Sequence, residues 1–230
     1  PLTGVFRKGG SLLMGGTWSS DSGDGIDDRC VFVTDAGEVA IYAGNNPGDV
    51  NNWSLQGIYD IGDVMGREAA INIAGDLAFG TIDGIIPLSA AVSKDPAQLK
   101  VASIASNIAP DWARDVALAN SPWRVTRWPR GNMLIATPIG AIADSRIYVS
   151  NLSTGAWATI TGWNVGDIQA LGTGLYLGSK DGTINRAWLG GTDKGAPFVC
   201  RGALPFDPCG NPAAVKVARA MRTVWRVTAG

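Results

Sequence analysis

Residues 75–89, GDLAFGTIDGIIPLS, have the pattern of two short apolar strands joined by a tight turn. The Asp83-Gly84 dipeptide supplies the positive φ values that a hairpin turn needs, and Phe79 and Ile85 are apolar residues on its two arms. A hairpin of this kind cannot bury its own apolar side chains. The stretch therefore predicts a β-hairpin that belongs to a larger sheet structure.

Two other stretches repeat this pattern. Residues 174–184, GLYLGSKDGTI, lie ninety-eight residues downstream, and their Asp181-Gly182 aligns with Asp83-Gly84. Residues 31–41, VFVTDAGEVAI, place their turn forty-seven residues upstream. Equivalent hairpins about 40–50 residues apart are typical of β-propellers, in which each blade is a four-stranded sheet. The sequence thus predicts an all-β fold, namely a β-propeller of about four to five blades or part of a larger propeller.

The composition also favours many short strands. Of 230 residues, 31 are Gly and 12 are Pro, and charged residues make up only 17%, which suits turns and strands better than long solvated helices. We expect one propeller domain over residues 1–230. Because the chain begins with Pro1 and enters a Gly-rich strand pattern almost at once, we also expect it to be a piece of a longer polypeptide.

A helical insertion is predicted at about residues 90–120, where Ala, Leu and charged residues replace the strand pattern. Asp95 can cap a first helix with Pro96 at its first position, and that helix is expected to break at Pro110. A second helix is expected from Asp111, with Trp112 and Val116 on one face. Such an insertion could contact a neighbouring subunit or cover the end of a blade.

The remaining strands are predicted on both sides of the insertion, at residues 53–61, 123–128, 133–137, 146–150, 156–163, 198–204 and 213–227. Trp53 is expected to pack over the edge of its blade. Tyr148, Trp157 and Trp163 are expected to form an aromatic ladder between strands. This ladder resembles the aromatic packing of kelch-type blades in architecture only.

The composition excludes several kinds of chemistry. There is no histidine, which removes histidine general bases, catalytic triads and histidine metal sites. The formal net charge of -1 disfavours a dedicated DNA-binding face, and no apolar run is long enough to span a membrane. Glycoside hydrolysis needs a carboxylate pair, and the sequence singles out none. We therefore predict no catalytic, cofactor-binding or metal-binding residue.

Two polar features leave alternatives open. The segment between Asp21 and Asp28 is rich in Asp, Ser and Gly, so it is either a calcium-binding loop or a solvated loop whose side chains cap turns. The spacing departs from the EF-hand pattern, which favours the solvated loop. Cys200 and Cys209 could form a disulfide, but free thiols are the preferred interpretation for this odd set of cysteines.

The stretch PWRVTRWPR alternates aromatic and basic residues: Trp123, Arg124, Arg127, Trp128 and Arg130. Such a set could stack on and pair with nucleic acid or sugar. The other interpretation is a strand whose tryptophans lie in the core while the arginine stems lie along the surface. The second interpretation is preferred.

With the strands placed, four stretches resemble the β-propeller tail proteins of short-tailed bacteriophages, the nozzle or tail-hub proteins related in architecture to packaged-DNA stabilisation proteins. They are DSGDGIDDRCVFVTDAGEVAIYAGNNPGDVNNWSLQGIYDIG, GDLAFGTIDGIIPLS, STGAWATITGW and GLYLGSKDGTI. The resemblance extends from about Val5 to Trp225 and rests on distributed strand and turn patterns. It carries no active-site residue.

The resemblance implies a structural virion protein that is not an enzyme and needs no cofactor. Copies of the chain would form a ring, typically of six, below the portal and adaptor, through which DNA is retained and ejected. It implies that the partners are other copies, the adaptor or portal, and tail fibre or needle proteins, with no membrane and no sequence-specific DNA binding. It places the protein in the virion tail after synthesis in the host cytoplasm.

A second function of a different class is a carbohydrate-binding or glycan-hydrolysing propeller that acts in receptor recognition. It would use exposed aromatic and acidic side chains, with Trp123 and Trp163 as the residues to test.

The near-neutral charge of the chain is compatible with the first function, the DNA conduit of a phage tail, because a strongly basic conduit wall would slow the passage of DNA through phosphate contacts.

Overall fold

The computed structural model describes residues 2, 4–19, 28–73, 75–119, 121–140, 146–163 and 165–202. The chain forms two compact units, Pro1–Ala187 and Trp188–Gly230. All of the strands and helices named below belong to the first unit. In the described part of the second unit, the one regular feature is a β-bridge between Asp193 and Ala196 that closes a short turn.

The first unit is mainly β-structure. Its described strands are β1 (Leu12–Ser19), β2 (Asp28–Thr34), β3 (Glu38–Gly44), β4 (Trp53–Asp60), β5 (Ala70–Ile73), β6 (Asp76–Thr81), β7 (Gly84–Pro87), β8 (Trp123–Trp128), β9 (Met133–Pro138), β10 (Ile147–Asn151), β11 (Trp157–Ile160), β12 (Val165–Leu171), β13 (Gly174–Ser179) and β14 (Ile184–Arg186). The α-helices are α1 (Leu88–Ser93), α2 (Leu99–Ala102) and α3 (Ala109–Ala119).

The strands form four antiparallel sheets, each a meander of strands that are consecutive in the chain. Sheet 1 is β1-β2-β3-β4, sheet 2 is β5-β6-β7, sheet 3 is β8-β9-β10-β11 and sheet 4 is β12-β13-β14. The predicted all-β class is therefore confirmed, with a helical insertion between sheets 2 and 3. Within the described residues the sheets are not closed into a ring.

The three hairpins that the repeat predicted all form, and each joins the second and third strands of its sheet: β2–β3, β6–β7 and β13–β14. In the central hairpin, the turn lies one residue earlier than the predicted Asp83-Gly84. Thr81 pairs with Gly84, so Ile82 and Asp83 form the turn and Gly84, with φ 128°, begins β7. The equivalent hairpin of sheet 3, β9–β10, was not recognised as a copy of the sequence repeat, because residues 139–146 separate its two strands.

Sheet 3 is buried on both faces. Leu134 and Ala136 of β9 belong to the larger core, which also contains Phe79 of sheet 2, whereas Ile135 between them belongs to a second core with Leu175 of sheet 4. Successive side chains of a strand point to opposite faces. Sheets 2, 3 and 4 therefore pack in the order in which they occur in the chain.

Backbone contacts also join neighbouring sheets at their first strands. β8 contacts β5 on sheet 2 and β12 on sheet 4. The amide of Trp123 donates to the carbonyl of Met65 at 2.7 Å, and the amide of Gly140 donates to the carbonyl of Gly166 at 2.9 Å. The first strands of these three sheets consequently lie next to one another.

The helical insertion is confirmed, with one correction inside it. Asp95 caps a 3-10 turn by accepting a hydrogen bond from the amide of Ala97, as its position before Pro96 predicted. The expected break at Pro110 is wrong, because Pro110 lies in the first turn of α3. Proline is tolerated there since a first-turn amide has no partner within the helix.

Two strand predictions near the end of the chain have different outcomes. The predicted strand at 198–204 is wrong over its described part, because residues 198–202 form no strand. Phe198 and Val199 are exposed there, so they make none of the packing that a blade strand requires. The predicted strand at 213–227 lies outside the described residues.

The turn glycines Gly37 and Gly62 give a matched test of this packing. Both have φ 77°, but a Cβ on Gly37 would lie 2.3 Å from the carbonyl oxygen of Gly62, whereas the nearest atom to a Cβ on Gly62 is 3.9 Å away. We expect Gly37→Ala to lower the free energy of unfolding by about 3 kcal/mol and Gly62→Ala by about 1 kcal/mol. Urea unfolding measures both, and equal losses would contradict the close approach.

Candidate functional site

The basic and aromatic stretch on β8 is mainly structural. Trp123 and Trp128 are 1% and 8% exposed, whereas Arg127 and Arg130 are exposed. The preferred interpretation, with tryptophans in the core and arginines at the surface, is confirmed. Trp123, one of the residues to test under the carbohydrate alternative, has its ring covered by protein and offers no face to a glycan.

Arg124 on the same strand connects three elements. Its guanidinium makes a bidentate pair with Asp167 of β12, with Nη2 2.9 Å from Oδ2. Nη1 donates to Glu68 Oε2 and to Gln169 Oε1, both at 3.0 Å. The planar guanidinium suits such a fork of acceptors. Arg124 therefore ties sheet 3 to sheet 4 and to the turn before β5.

Arg124→Ala is expected to lower the free energy of unfolding by about 2 kcal/mol, because it leaves Asp167 without its bidentate partner at a sheet junction. Arg127→Ala, on the exposed side of the same strand, is the control and should change stability by less than about 0.5 kcal/mol. Thermal unfolding compares the two. Weakened binding to single-stranded nucleic acid in the Arg127 variant, with unchanged stability, would instead favour the nucleic-acid interpretation.

Helix α3 is anchored to sheet 3 by a charged network around Asp115. Tyr148 Oη donates to Asp115 Oδ2 at 2.6 Å, and Arg146 donates to both carboxylate oxygens, from Nε at 2.8 Å and from Nη2 at 2.9 Å. Arg114 Nε adds a contact of 3.1 Å from the exposed side. The carboxylate is only 12% exposed, so these bonds replace most of its hydration.

An aromatic cluster lies directly beside this network. The ring centroids of Trp112 and Trp123 are 5.0 Å apart, and those of Trp112 and Tyr148 are 5.6 Å apart. Trp112 Nε1 donates to the carbonyl of Thr81 at 3.0 Å, which ties α3 to sheet 2. Tyr148, the first member of the predicted aromatic ladder, stacks on Trp123 of β8 and is tilted against Trp112 of α3. Trp157 instead donates to the carbonyl of Ile104.

Burial, the hydrogen bond to Asp115 and the charge of that carboxylate raise the pKa of Tyr148 well above its usual value. The folded state then keeps this proton while the unfolded chain loses it at about pH 10, so stability falls as pH rises above 10. We expect Tyr148 to ionise only as the protein unfolds. Phenolate absorbance measures this, with Tyr148→Phe as the control that removes the late component. Ionisation of all four tyrosines in the folded protein would contradict it.

Sheet 1 carries an aromatic row on the face that lies outside both cores. Phe32 of β2 meets Tyr42 of β3 edge-on at 5.9 Å, and Tyr42 stacks on Trp53 of β4 at 5.4 Å. Leu55, next to this row, is 42% exposed. Trp53, which was predicted to pack over the edge of its blade, lies on the edge strand β4 and stacks on Tyr42 of the neighbouring strand. We call Phe32, Tyr42, Trp53 and Leu55 the aromatic face.

The helical insertion has a covered side and an open side. Trp112, which is 1% exposed, packs against sheets 2 and 3. On the open side, Val101 of α2 is 81% exposed and Leu118 of α3 is 75% exposed. The sequence placed Trp112 on one face of this helix, but it held no signal for the contacts of Asp115 with Arg146 and Tyr148, which lie more than thirty residues away along the chain.

The metal and disulfide alternatives, which the sequence disfavoured, concern residues that fall mostly outside the described part of the chain. Residues 20–27, which include most of the polar segment, lie outside the described residues, and Asp28 is the first residue of β2. Over the ranges that the structure describes, no cluster of Cys, Asp and Glu could hold a metal ion. Cys30 and Cys200 form no disulfide there, while Cys209 lies outside the described part. No described helix has the length and apolar character needed to cross a membrane.

Comparison with known proteins assigns no family to this arrangement. No protein-family model matches the chain, and no curated protein matches its sequence. The resemblance to phage tail propellers therefore stays a prediction from the strand and turn patterns.

Proposed function

We propose that this chain is a structural protein of a phage tail, a β-propeller module whose copies form a ring around the path of DNA. The observation that carries the proposal is the serial packing of antiparallel sheets, with sheet 3 buried between sheets 2 and 4. Consecutive meander sheets stacked face to face are the construction principle of propellers.

Two further features support a propeller. The hairpin of the second and third strands recurs in every sheet, and the first strands β5, β8 and β12 lie next to one another. In a propeller the first strand of each blade lies nearest the central axis, so adjacent first strands are expected. The helical insertion would then lie on the rim.

Surfaces suited to assembly support the ring. The aromatic face of sheet 1 has no sheet packed over it within the described residues, and the open side of the insertion exposes Val101 and Leu118. Exposed apolar groups of this kind are typical of protein interfaces. The formal net charge of -1 suits a conduit that DNA must leave freely, because phosphate contacts from many Lys and Arg would retain it.

Cryo-electron microscopy of the purified full chain and of virion tails tests the proposal. We expect rings of the purified chain and density for the propeller below the portal. A monomer at all concentrations that is also absent from tails would refute the proposal.

A pair of variants locates the surface that forms the ring. Leu55→Glu places a charge on the aromatic face and is expected to reduce the fraction of chains in rings, since a buried unpaired carboxylate is unfavourable. Val50→Glu is the matched control, because Val50 is 89% exposed in the loop before β4. Mass photometry gives the two ring fractions. Equal fractions would exclude the aromatic face from the ring contact.

A further inference from the structure

A cleft of about 490 Å³ lies beside the end of β4, away from the features described above. The cleft is lined by the segment before β1, the start of β3, the end of β4, and the end of α1 with the following turn. Its volume falls within the range of small-molecule sites, about 300–1,000 Å³. The residues that the argument uses are Arg7, Lys8, Glu38, Tyr59, Asp60 and Lys94.

Two carboxylates meet at this cleft. Glu38 of β3 and Asp60 of β4 are directly opposite each other in the sheet, a position at which like charges repel. Lys8 bridges them, since its amide donates to Glu38 Oε2 at 2.8 Å and its Nζ pairs with Asp60 Oδ2 at 2.6 Å. Burial opposes ionisation of Asp60, but the hydrogen bonds from Lys8 and Gly62 outweigh it and lower the pKa of Asp60.

Three charges at the cleft are left without an opposite charge among the described residues. Glu38 is 3% exposed, yet among the described residues its carboxylate forms no ion pair and accepts one hydrogen bond, from the Lys8 amide. Within the part of the chain that the structure describes, the Arg7 side chain makes one long hydrogen bond, of 3.4 Å, to the carbonyl of Ile58. Lys94 is exposed, and its ammonium has no carboxylate within ion-pair distance in the described part of the chain. A buried carboxylate with a single donor has acceptor capacity left over.

These groups define the charge of a fitting ligand. With Lys8 and Asp60 neutralising each other, Arg7, Lys94 and Glu38 leave the cleft with one net positive charge. A ligand with one negative charge balances it, whereas a zwitterion does not. The Glu38 carboxylate can accept hydrogen bonds from hydroxyl donors, and Tyr59 also lines the cleft.

We propose that the cleft binds a small acidic sugar, a monoanion with several hydroxyl groups. Arg7 and Lys94 bind its carboxylate, and Glu38 accepts hydrogen bonds from its hydroxyls. The C–H face of the sugar lies against Tyr59. This site is separate from Trp123 and from the aromatic face, and it does not depend on ring assembly.

Isothermal titration of the purified full chain with D-glucuronate tests the site. D-glucose, which keeps the hydroxyls without the charge, and acetate, which keeps the charge without the hydroxyls, are the ligand controls. We expect saturable binding of glucuronate that is at least tenfold tighter than binding of either control. Absence of saturable glucuronate binding, or equal binding of acetate, would overturn the proposal.

Variants at the mouth of the cleft assign the binding to this site. Lys94→Ala is expected to raise the Kd for glucuronate at least tenfold, and Lys94→Arg is expected to restore binding because it keeps the charge. Lys180→Ala, at an exposed turn before β14, is the matched control and should leave the Kd unchanged. Unfolding temperatures of all variants check that they fold. An unchanged Kd in folded Lys94→Ala would refute the site.

Discussion

Trp112→Ala is expected to lower the free energy of unfolding by about 4 kcal/mol, the largest loss that we expect for a single substitution in this chain. The side chain is 1% exposed and packs against Trp123 and Tyr148. Its removal leaves a cavity where α3, sheet 2 and sheet 3 meet. It also removes the donor to the carbonyl of Thr81, which is buried. Urea unfolding followed by circular dichroism measures the loss.

Two variants of the same helix control this experiment. Leu118→Ala removes an apolar side chain that is 75% exposed, so it should change stability by less than about 0.5 kcal/mol. Trp112→Phe keeps most of the packing but not the hydrogen bond, and its loss should fall between the other two. If Trp112→Ala and Leu118→Ala were equally mild, α3 would not be packed on the sheets.

Asp115→Ala is the second substitution with a large expected effect, a loss of about 3 kcal/mol. It removes the acceptor shared by Tyr148 and Arg146 and leaves the Arg146 guanidinium, 25% exposed, without this partner. Breaking one half of a mostly buried pair costs more than the pair contributes, because the remaining charge stays poorly hydrated. Thermal unfolding at pH 7 gives the loss.

The exposed half of the same network is the comparison. Arg114 contacts Asp115 and Asp111 at the surface, where water competes with both ion pairs, so Arg114→Ala should have little effect. Asp115→Asn tests the contribution of the negative charge alone. The asparagine side chain has nearly the same shape and can still accept a hydrogen bond from Tyr148, but it forms no ion pair with Arg146. A loss in Arg114→Ala as large as that in Asp115→Ala would contradict the assignment of the inner contacts as the stabilising ones.

The fold class could be predicted from sequence because its signal is local. A hairpin such as the one around Asp83 depends on neighbouring residues. The turns of the other two hairpins each contain a glycine at positive φ, Gly37 at 77° and Gly182 at 81°. The β9–β10 hairpin was found only as separate strands because its connection is long. Local patterns cannot show whether the sheets close into a ring, since closure depends on contacts between distant sheets.

The contacts that hold the sheets together were less predictable for the same reason. Arg124 was singled out by sequence as a candidate for nucleic acid, but its acceptors Asp167 and Gln169 lie more than forty residues away. Glu38 and Asp60 become a carboxylate pair only through the register of β3 and β4. Sequence identified the residue types, and strand register and sheet packing decided which of them meet.

The two-sided burial of sheet 3 has a consequence for how the unit unfolds. Sheet 4 cannot detach without uncovering Trp128 and Val149, and sheet 2 cannot detach without uncovering Leu134 and Tyr148. Each sheet forms from local hairpins, but its stability is coupled to that of its nearest neighbours, as in a linear array of repeats. Destabilisation of sheet 2 or of sheet 4 therefore also destabilises sheet 3, which packs against both. Sheet 3 is consequently the sheet through which unfolding of the array is cooperative.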